Sequence, residues 1–280
     1  MSILLVIAAC LAALLYALAW AGSLRAPVEP EIDDSDAQGD RRGSALVVAG
    51  VVAHLLSLVA AILTGSQIRF GFAQALSATL WVGVAVLWLE GLSIRAGALR
   101  AVALPFAALG ALLPLFFPGA DFTAESSRPL FVPHLLAGTL AYGVLMLAAM
   151  HAAMMAFAER ALHGLGQSSS PFSRWVDRLP ALLSMERMLF RFIGVGFVLL
   201  TLTALSGIVF SDEVFGRPLR FDHKTVFTLV SWAIFGALLI GRWRWGWRGR
   251  TALRLTLAGF LVLLLAYIGT RFVIEVILRR

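Results

Sequence analysis

Apolar residues in this chain are gathered into long runs separated by short polar segments. Each run is about 20 residues long, the length of α-helix that crosses roughly 30 Å of hydrocarbon. A helix also satisfies its own backbone hydrogen bonds inside lipid. No run alternates polar and apolar residues as a β-barrel strand would. The pattern predicts an all-α integral membrane protein, a bundle of about eight transmembrane helices, at residues 3–21, 45–64, 73–90, 98–117, 131–157, 190–210, 225–241 and 253–277.

The first run has a second interpretation, as a secretory signal peptide. Ala17, Leu18 and Ala19 resemble a cleavage site. However, no Lys or Arg precedes the run, and the run is long for the apolar part of a signal peptide. We therefore expect it to remain as a span.

Composition supports the membrane interpretation. The 280 residues are 60% hydrophobic and 14% charged, whereas a soluble domain is about half apolar and a quarter charged. Mean hydropathy is +0.88. The lone cysteine, Cys10, lies inside the first run and cannot form an internal disulfide. The net charge of +7 comes from residues scattered over short loops, so we expect membrane lipid, and not nucleic acid, as the partner of this charge.

The distribution of Lys and Arg predicts an orientation. If the N-terminus lies outside, the cytoplasmic loops hold about twice as many Lys and Arg residues as the outer loops do. Cytoplasmic loops are normally the ones enriched in these residues. With eight spans, we then expect both termini to lie outside. We expect a single transmembrane domain over residues 1–280.

Three polar segments stand out between the spans. Residues 22–44 hold six of the 16 acidic residues without apolar periodicity, which predicts a disordered cytoplasmic loop. Residues 161–187 are rich in Gly and Ser and then amphipathic, which is typical of an interfacial segment. Residues 242–250 alternate Arg with Trp, a pattern that favours a headgroup anchor; binding of anionic lipid or of a cytoplasmic partner is the alternative.

Ionisable residues at membrane depth are costly and therefore point to function. His54 lies near the centre of the second span, and His151 lies near the cytoplasmic end of the fifth. His134 and His223 both lie at the outer face, on different helices. Two imidazoles from opposite sides suit the axial positions of a haem iron, so His134 and His223 are candidate metal ligands; hydrogen bonding at headgroup level is the alternative. His54 could be a ligand or proton relay, or an interhelical hydrogen-bonding group.

Basic residues surround the outer histidines. Arg217 and Arg220 precede His223, and Arg271 lies in the outer part of the last span, where its i,i+4 spacing from Glu275 predicts an ion pair. Guanidinium groups bind carboxylates in a bidentate fork, so these arginines could hold haem propionates. No hydrolase, kinase or metalloprotease motif occurs, and we expect that the protein is not an enzyme.

Several segments resemble the cytochrome c assembly membrane proteins, the group of CcsA, CcmC and HemX. Residues 129–142 are similar to the start of that group's His-containing helix. Residues 192–209 are similar to the helix that leads into its Trp-rich outer loop, and residues 216–232 occupy the place of that loop. Features of the HemX-like inner-membrane branch occur at residues 183–187, 247–250 and 266–271.

The resemblance implies a haem-binding or haem-handling protein of cytochrome c assembly, located as a multi-pass protein in a bacterial inner (plasma) membrane. In haem-handling members the Trp-rich loop presents haem between two outer histidines, and His134 matches the first of them. Residues 211–224 contain no Trp, and His223 does not match the second histidine by position. Cytochrome c maturation proteins or a haem-biosynthesis enzyme are the implied partners. A non-catalytic regulator or scaffold of haem biosynthesis is the alternative, and a transporter of a small anion or haem precursor is a third possibility.

Overall fold

A computed structural model describes residues 2–25, 34–91, 97–164, 182–209, 211 and 222–278. The helices are α1 Ile3–Arg25, α2 Asp34–Ile62, α3 Phe72–Gly91, α4 Gly97–Phe116, α5 Thr123–Ser126, α6 Phe131–Gly164, α7 Leu182–Val209, α8 His223–Trp245 and α9 Arg250–Leu264. The strands are β1 Leu63–Thr64, β2 Gln67–Phe70 and β3 Ala120–Asp121.

The all-α membrane fold is confirmed. Within the described residues, seven helices are long and apolar enough to cross a membrane. The remaining predicted span, residues 98–117, forms α4, whose apolar part, Arg100–Phe116, is shorter than the others. Pro105 and Pro114 lie inside α4, and the helix packs against α1 and α3 within the bundle. Which end of the bundle faces outside stays a prediction.

The predicted acidic loop is shorter than the sequence suggested. α1 continues to Arg25 and α2 begins at Asp34, so much of residues 22–44 is helical. The sequence of α2 opens with Asp34 and Asp36, and acidic residues are favoured in the first turn of a helix because of its positive end. Periodicity missed this extension because the added turns are polar. Most of the predicted interfacial segment, residues 165–181, lies outside the described residues.

A small antiparallel sheet closes one end of the bundle, which we call the hairpin end. β1 pairs with β2 through Leu63 and Ile68, and the turn between them contains Gly65 at a φ of 64°. β2 then pairs with β3, with Arg69 opposite Asp121. α2, α4 and α7 end at the hairpin end, whereas α3, α6 and α8 begin there. The sheet therefore ties loops from different helix pairs together.

Helix α6 runs through the middle of the bundle and contacts α3, α7 and α9. Its approach to α7 is close because a Cβ atom on Gly196 would lie 2.5 Å from a methyl carbon of Leu145. Small residues allow such contacts between membrane helices, where van der Waals packing drives association. This close packing sets the distance between the hairpin-end turns of α6 and α7.

The last span changes its winding near the hairpin end. α9 continues into a π-helical turn, Leu265–Gly269, then a short α-helical turn, Thr270–Phe272, and a second π-helical turn, Val273–Ile277. The backbone N–H of Leu278 donates to the carbonyl of Val273 at 2.9 Å, five residues back. Such turns are frequent at functional sites because the extra residue redirects the side chains beyond it.

Candidate functional site

A cavity of about 420 Å³ lies between the helices near the hairpin end. Its volume is within the range of about 300–1,000 Å³ that small-molecule sites occupy. Most of its wall is apolar, from Phe70, Phe122, Phe131, Leu135, Ile208, Leu229, Leu263 and Ile268. The polar part of the wall includes His134, Thr203, Asp222, Lys224, Tyr267 and Arg271.

His134 reaches the cavity from the first turns of α6. Its backbone N–H donates to the carbonyl of Leu130 at 3.0 Å, and Pro133 fits the first turn because that turn needs few N–H donors. Its ring lies beside Gly207 of α7, where a Cβ atom would approach Cε1 to 3.2 Å. The α6–α7 packing therefore leaves just enough room for the imidazole.

A hydrogen bond with α7 orients the ring of His134. Its Nδ1 is 2.8 Å from the Oγ of Ser206, and the Ser206 hydroxyl donates to the carbonyl of Thr203 at 3.1 Å. When the Ser206 hydroxyl donates its one proton to the Thr203 carbonyl, its oxygen accepts from Nδ1–H of His134. The lone pair is then on Nε2. A histidine whose other nitrogen is held this way has the form that binds metal.

Two cations and several aromatic rings form the polar side of the cavity. The Arg271 guanidinium lies 4.7 Å from the centre of the Phe122 ring and 5.9 Å from that of Tyr267, while Lys224 Nζ lies 5.8 Å from Tyr267. Arg271 also pairs with Glu275 at 3.8 Å, as the i,i+4 spacing predicts. Among the described residues, buried Arg271 Nε has no hydrogen-bond partner. The Nε–H of this guanidinium can therefore donate a hydrogen bond to one more anionic group in the cavity.

Asp222 fixes the start of α8 at the cavity wall. Its carboxylate accepts from the backbone N–H of Thr225 at 3.0 Å and from the Thr225 hydroxyl at 3.2 Å. Partial burial raises the pKa of Asp222, but these hydrogen bonds and the charges of Lys224 and His223 outweigh it, so the pKa lies below its ordinary value. The cap thereby positions Lys224, two residues later, on the cavity wall.

The structure places the two predicted outer histidines in different surroundings, since His134 lines the cavity and His223 does not. His223 is exposed, and it is not among the residues lining the cavity. Within the described part of the wall, His134 is the single imidazole. Arg217 and Arg220 lie outside the described residues. Axial ligation by His223 and propionate binding by these arginines therefore stay predictions.

His54 lies away from the cavity, at the junction of α1, α2 and α3. Its ring is fully buried, with Nε2 2.9 Å from the Ser77 Oγ and Nδ1 3.4 Å from the Tyr16 hydroxyl. Both ring nitrogens are thus occupied by groups from neighbouring helices. This geometry favours the interhelical hydrogen bond over the ligand role, which stays a prediction.

Sequence reasoning missed Ser206 and the π-helical turns. Ser206 is separated from His134 by 72 positions, and nothing in its own surroundings marks it as a partner of an imidazole. Winding of the last span depends on contacts with α3 and α8, which no local pattern encodes. Lys224 and Tyr267 fell within segments noted in the sequence, but their stacking required the folded bundle.

Comparison with known proteins places these features in a family. The chain is 31% identical to the inner membrane protein YpjD of Escherichia coli (strain K12) over 172 residues, which are 61% of this chain and 62% of that relative. The match therefore covers less than two thirds of the relative. Together with the seven apolar helices, it confirms a multi-pass location in a bacterial inner membrane.

Two further relatives differ in how much they cover. A 28.8 kDa protein from the nifR3-like 5′ region of Azospirillum brasilense is 29% identical over 76% of this chain and 80% of its own length. The cytochrome c biogenesis protein CcsA of Heterosigma akashiwo (strain NIES-293 / 8280G21-1) is 36% identical over 34% of this chain and 30% of its own length. No solved structure matches the chain. Residues 44–278 match the family described as Cytochrome C assembly protein, and the chain belongs to that family.

Proposed function

We propose that the protein binds haem in the hairpin-end cavity and passes it on during cytochrome c assembly, without turnover of its own. The observation that carries the proposal is His134, whose Nδ1 is held by Ser206 at 2.8 Å while the ring lies on the wall of a largely apolar cavity. Haem, the cargo, supplies an iron that takes imidazole nitrogen as an axial ligand.

The cavity wall fits both parts of the haem molecule. The macrocycle is apolar, and the phenylalanine and aliphatic side chains of the wall would remove it from water. The two propionates are carboxylates, and Arg271 with Lys224 supplies the positive charge to hold them. Asp222 and Glu125 also line the cavity, so the cations face a mixed field. We expect Arg271 to contribute most because its guanidinium is already oriented by two aromatic rings.

Relatives support the cellular role of this binding. CcsA is named for cytochrome c biogenesis, and the family is named for cytochrome c assembly. We infer that cytochrome c maturation proteins are the partners that deliver or receive the haem.

A second candidate function follows from the opposite end of the bundle. Trp243 and Trp245 are 86% and 66% exposed there, and Arg244, Arg248 and Arg254 are exposed beside them. This surface could hold a haem-biosynthesis enzyme and make the protein a regulator or scaffold. It predicts purified protein without haem, and co-purification of the enzyme that is lost when these arginines are neutralised.

The test is absorption spectroscopy of the full chain, purified in mild detergent after expression with added haem precursor. We expect an equimolar haem whose Soret band is lost in His134→Ala. His223→Ala, at the same end of the bundle, tests the candidate second ligand. If the absorption spectrum of His223→Ala no longer shows bis-imidazole ligation, His223 is the second axial ligand. If the spectrum is unchanged, the second ligand is another group. Haem binding unaffected by loss of both histidines would overturn the proposal.

A further inference from the structure

A second buried imidazole lies far from the cavity, between α6 and α7 toward the other end of the bundle. His151 is 3% exposed, and its Nε2 donates to the carbonyl of Met185 at 3.0 Å. Its Nδ1 is buried and has no hydrogen-bond partner among the described residues. Because Nε2 carries the proton, Nδ1 has its lone pair available. A buried polar atom left this way requires an explanation.

Methionines are concentrated on the two helices that hold this imidazole. Apart from Met1, every methionine of the chain lies on α6 or α7, at positions 146, 150, 154, 155, 185 and 188. Met154, Met155, Met185 and Met188 belong to the same buried cluster as Phe192, whose ring meets the His151 ring edge-on at 6.1 Å. The thioether groups and the imidazole thus share one apolar interior.

Helix geometry directs several of these side chains toward His151. Met154 and Met155 are three and four residues beyond His151, so they share its helix face, and helical side chains lean back toward the N-terminus. Met188 is one turn beyond Met185 on the antiparallel α7, and by the same rule it leans back toward the level of the His151 hydrogen bond. Helical spacing therefore directs methionine side chains of both helices toward the level of the His151–Met185 hydrogen bond.

The donor set selects among the possible occupants. A buried water needs two to four polar partners. In the described parts of α6 and α7, however, His151 Nδ1 is the single buried side-chain nitrogen or oxygen without a hydrogen-bond partner, which disfavours a water. Zinc and other borderline ions prefer several His, Cys or carboxylate ligands, and no group of three such residues occurs among the described residues. Thioethers with imidazole are ligands of Cu(I).

We propose that His151 Nδ1 and methionine sulfurs from α6 and α7 form a Cu(I) site inside the bundle. The Met185 carbonyl orients the imidazole and keeps its proton on Nε2, which is the usual arrangement behind a metal-ligating histidine. Binding of the ion would join α6 to α7, the two helices that also carry His134 and Ser206. The site is separate from the haem cavity and does not depend on haem being bound.

The test is Cu(I) binding by the full chain in detergent under reducing, anaerobic conditions, with bicinchoninate as competing chelator. We expect equimolar Cu(I) and an X-ray absorption spectrum with both sulfur and nitrogen neighbours. His151→Gln keeps an amide N–H at the place where Nε2 donates to the Met185 carbonyl, but it has no counterpart of Nδ1. We expect its affinity for Cu(I) to fall by more than about tenfold. Met154→Leu combined with Met188→Leu keeps the side-chain volume and should also weaken binding.

Two controls separate this site from packing effects and from the haem site. Met146→Leu is matched in chemistry, but Met146 faces Gly83 of α3, where its Cε lies 2.8 Å from the position of an added Cβ. It should bind Cu(I) like the unmodified chain, as should His134→Ala. Three results would each overturn the proposal. The unmodified chain could lose its Cu(I) to bicinchoninate, His151→Gln could bind Cu(I) with unchanged affinity, or His134→Ala could lose Cu(I) binding.

Discussion

The hydrogen bonds of His54 allow a sharp test of why an imidazole lies at the centre of the bundle. Ser77 of α3 holds Nε2 at 2.9 Å, and Tyr16 of α1 lies 3.4 Å from Nδ1. All three side chains are fully buried. Ser77→Ala removes one hydroxyl and leaves Nε2 without a partner in an apolar site.

The expected cost follows from burial and distance. A buried group left unsatisfied costs about 1–3 kcal/mol, whereas hydrogen bonds between membrane helices average about 0.6 and reach about 1.7 kcal/mol. At zero exposure and a short distance, Ser77→Ala should cost about 1–2 kcal/mol. Tyr16→Phe should cost less than about 1 kcal/mol, because the 3.4 Å contact is long and the ring keeps its packing against Gly50.

The assay is reversible unfolding in mixed micelles of mild detergent and dodecyl sulfate, followed by helical circular dichroism. Ser57→Ala is the matched control, since the Ser57 hydroxyl is equally buried and donates to the backbone carbonyl of His54, not to its ring. The triple variant Tyr16→Phe, His54→Leu, Ser77→Ala removes every polar member together and should be nearly as stable as the unmodified chain.

The triple variant also distinguishes a structural from a ligand role. If His54 only joins helices, the folded triple variant should behave like the unmodified chain in the haem-binding test. A well-folded triple variant that has lost its haem would refute this reasoning and restore the ligand role of His54. Equal destabilisation by Ser57→Ala and Ser77→Ala would also contradict it, since only one of them leaves the ring unpaired.

Three further substitutions test packing and capping, two of them at the hairpin end and one in the middle of α7. Gly71→Ala should destabilise the fold by about 1–3 kcal/mol, because the added Cβ would lie 2.6–2.8 Å from the Glu275 carboxylate oxygens and 2.8 Å from the Gly119 Cα. Gly194→Ala has open space around the added Cβ, so it should stabilise α7 by about 0.5–1 kcal/mol in the same unfolding assay. Asp222→Ala removes the cap of α8 and should cost about 1 kcal/mol at neutral pH. Because the folded pKa of Asp222 is lowered, this stabilisation is present above the unfolded pKa and lost as pH falls through the folded value, so the two chains should converge in stability well below pH ~4. A difference that persists in acid, or a Gly71→Ala chain as stable as wild type, would contradict these predictions.

Much of the fold could be predicted because lipid imposes few solutions on an apolar run. Length and hydropathy identified the spans, and the Arg271–Glu275 pair followed from helical spacing alone. The prediction failed at polar helix ends, where α2 begins at Asp34 and not near residue 45. There the decision depends on capping and helix propensity, which a hydropathy pattern does not record.

For the candidate site, too, the sequence predicts the membrane depth of a residue but not the contacts of its side chain. The sequence by itself determined that His134 opens a membrane helix at the same end as His223, since the number of residues between them sets how often the chain crosses the bilayer. Only the tertiary structure decided that His134 lines a cavity while His223 is exposed beside it. It also decided that Ser206 orients the His134 ring and that Ser77 and Tyr16 occupy the nitrogens of His54. The physical reason is that a run's length fixes depth in the membrane, whereas the direction a side chain faces depends on how each helix rotates and packs against its neighbours.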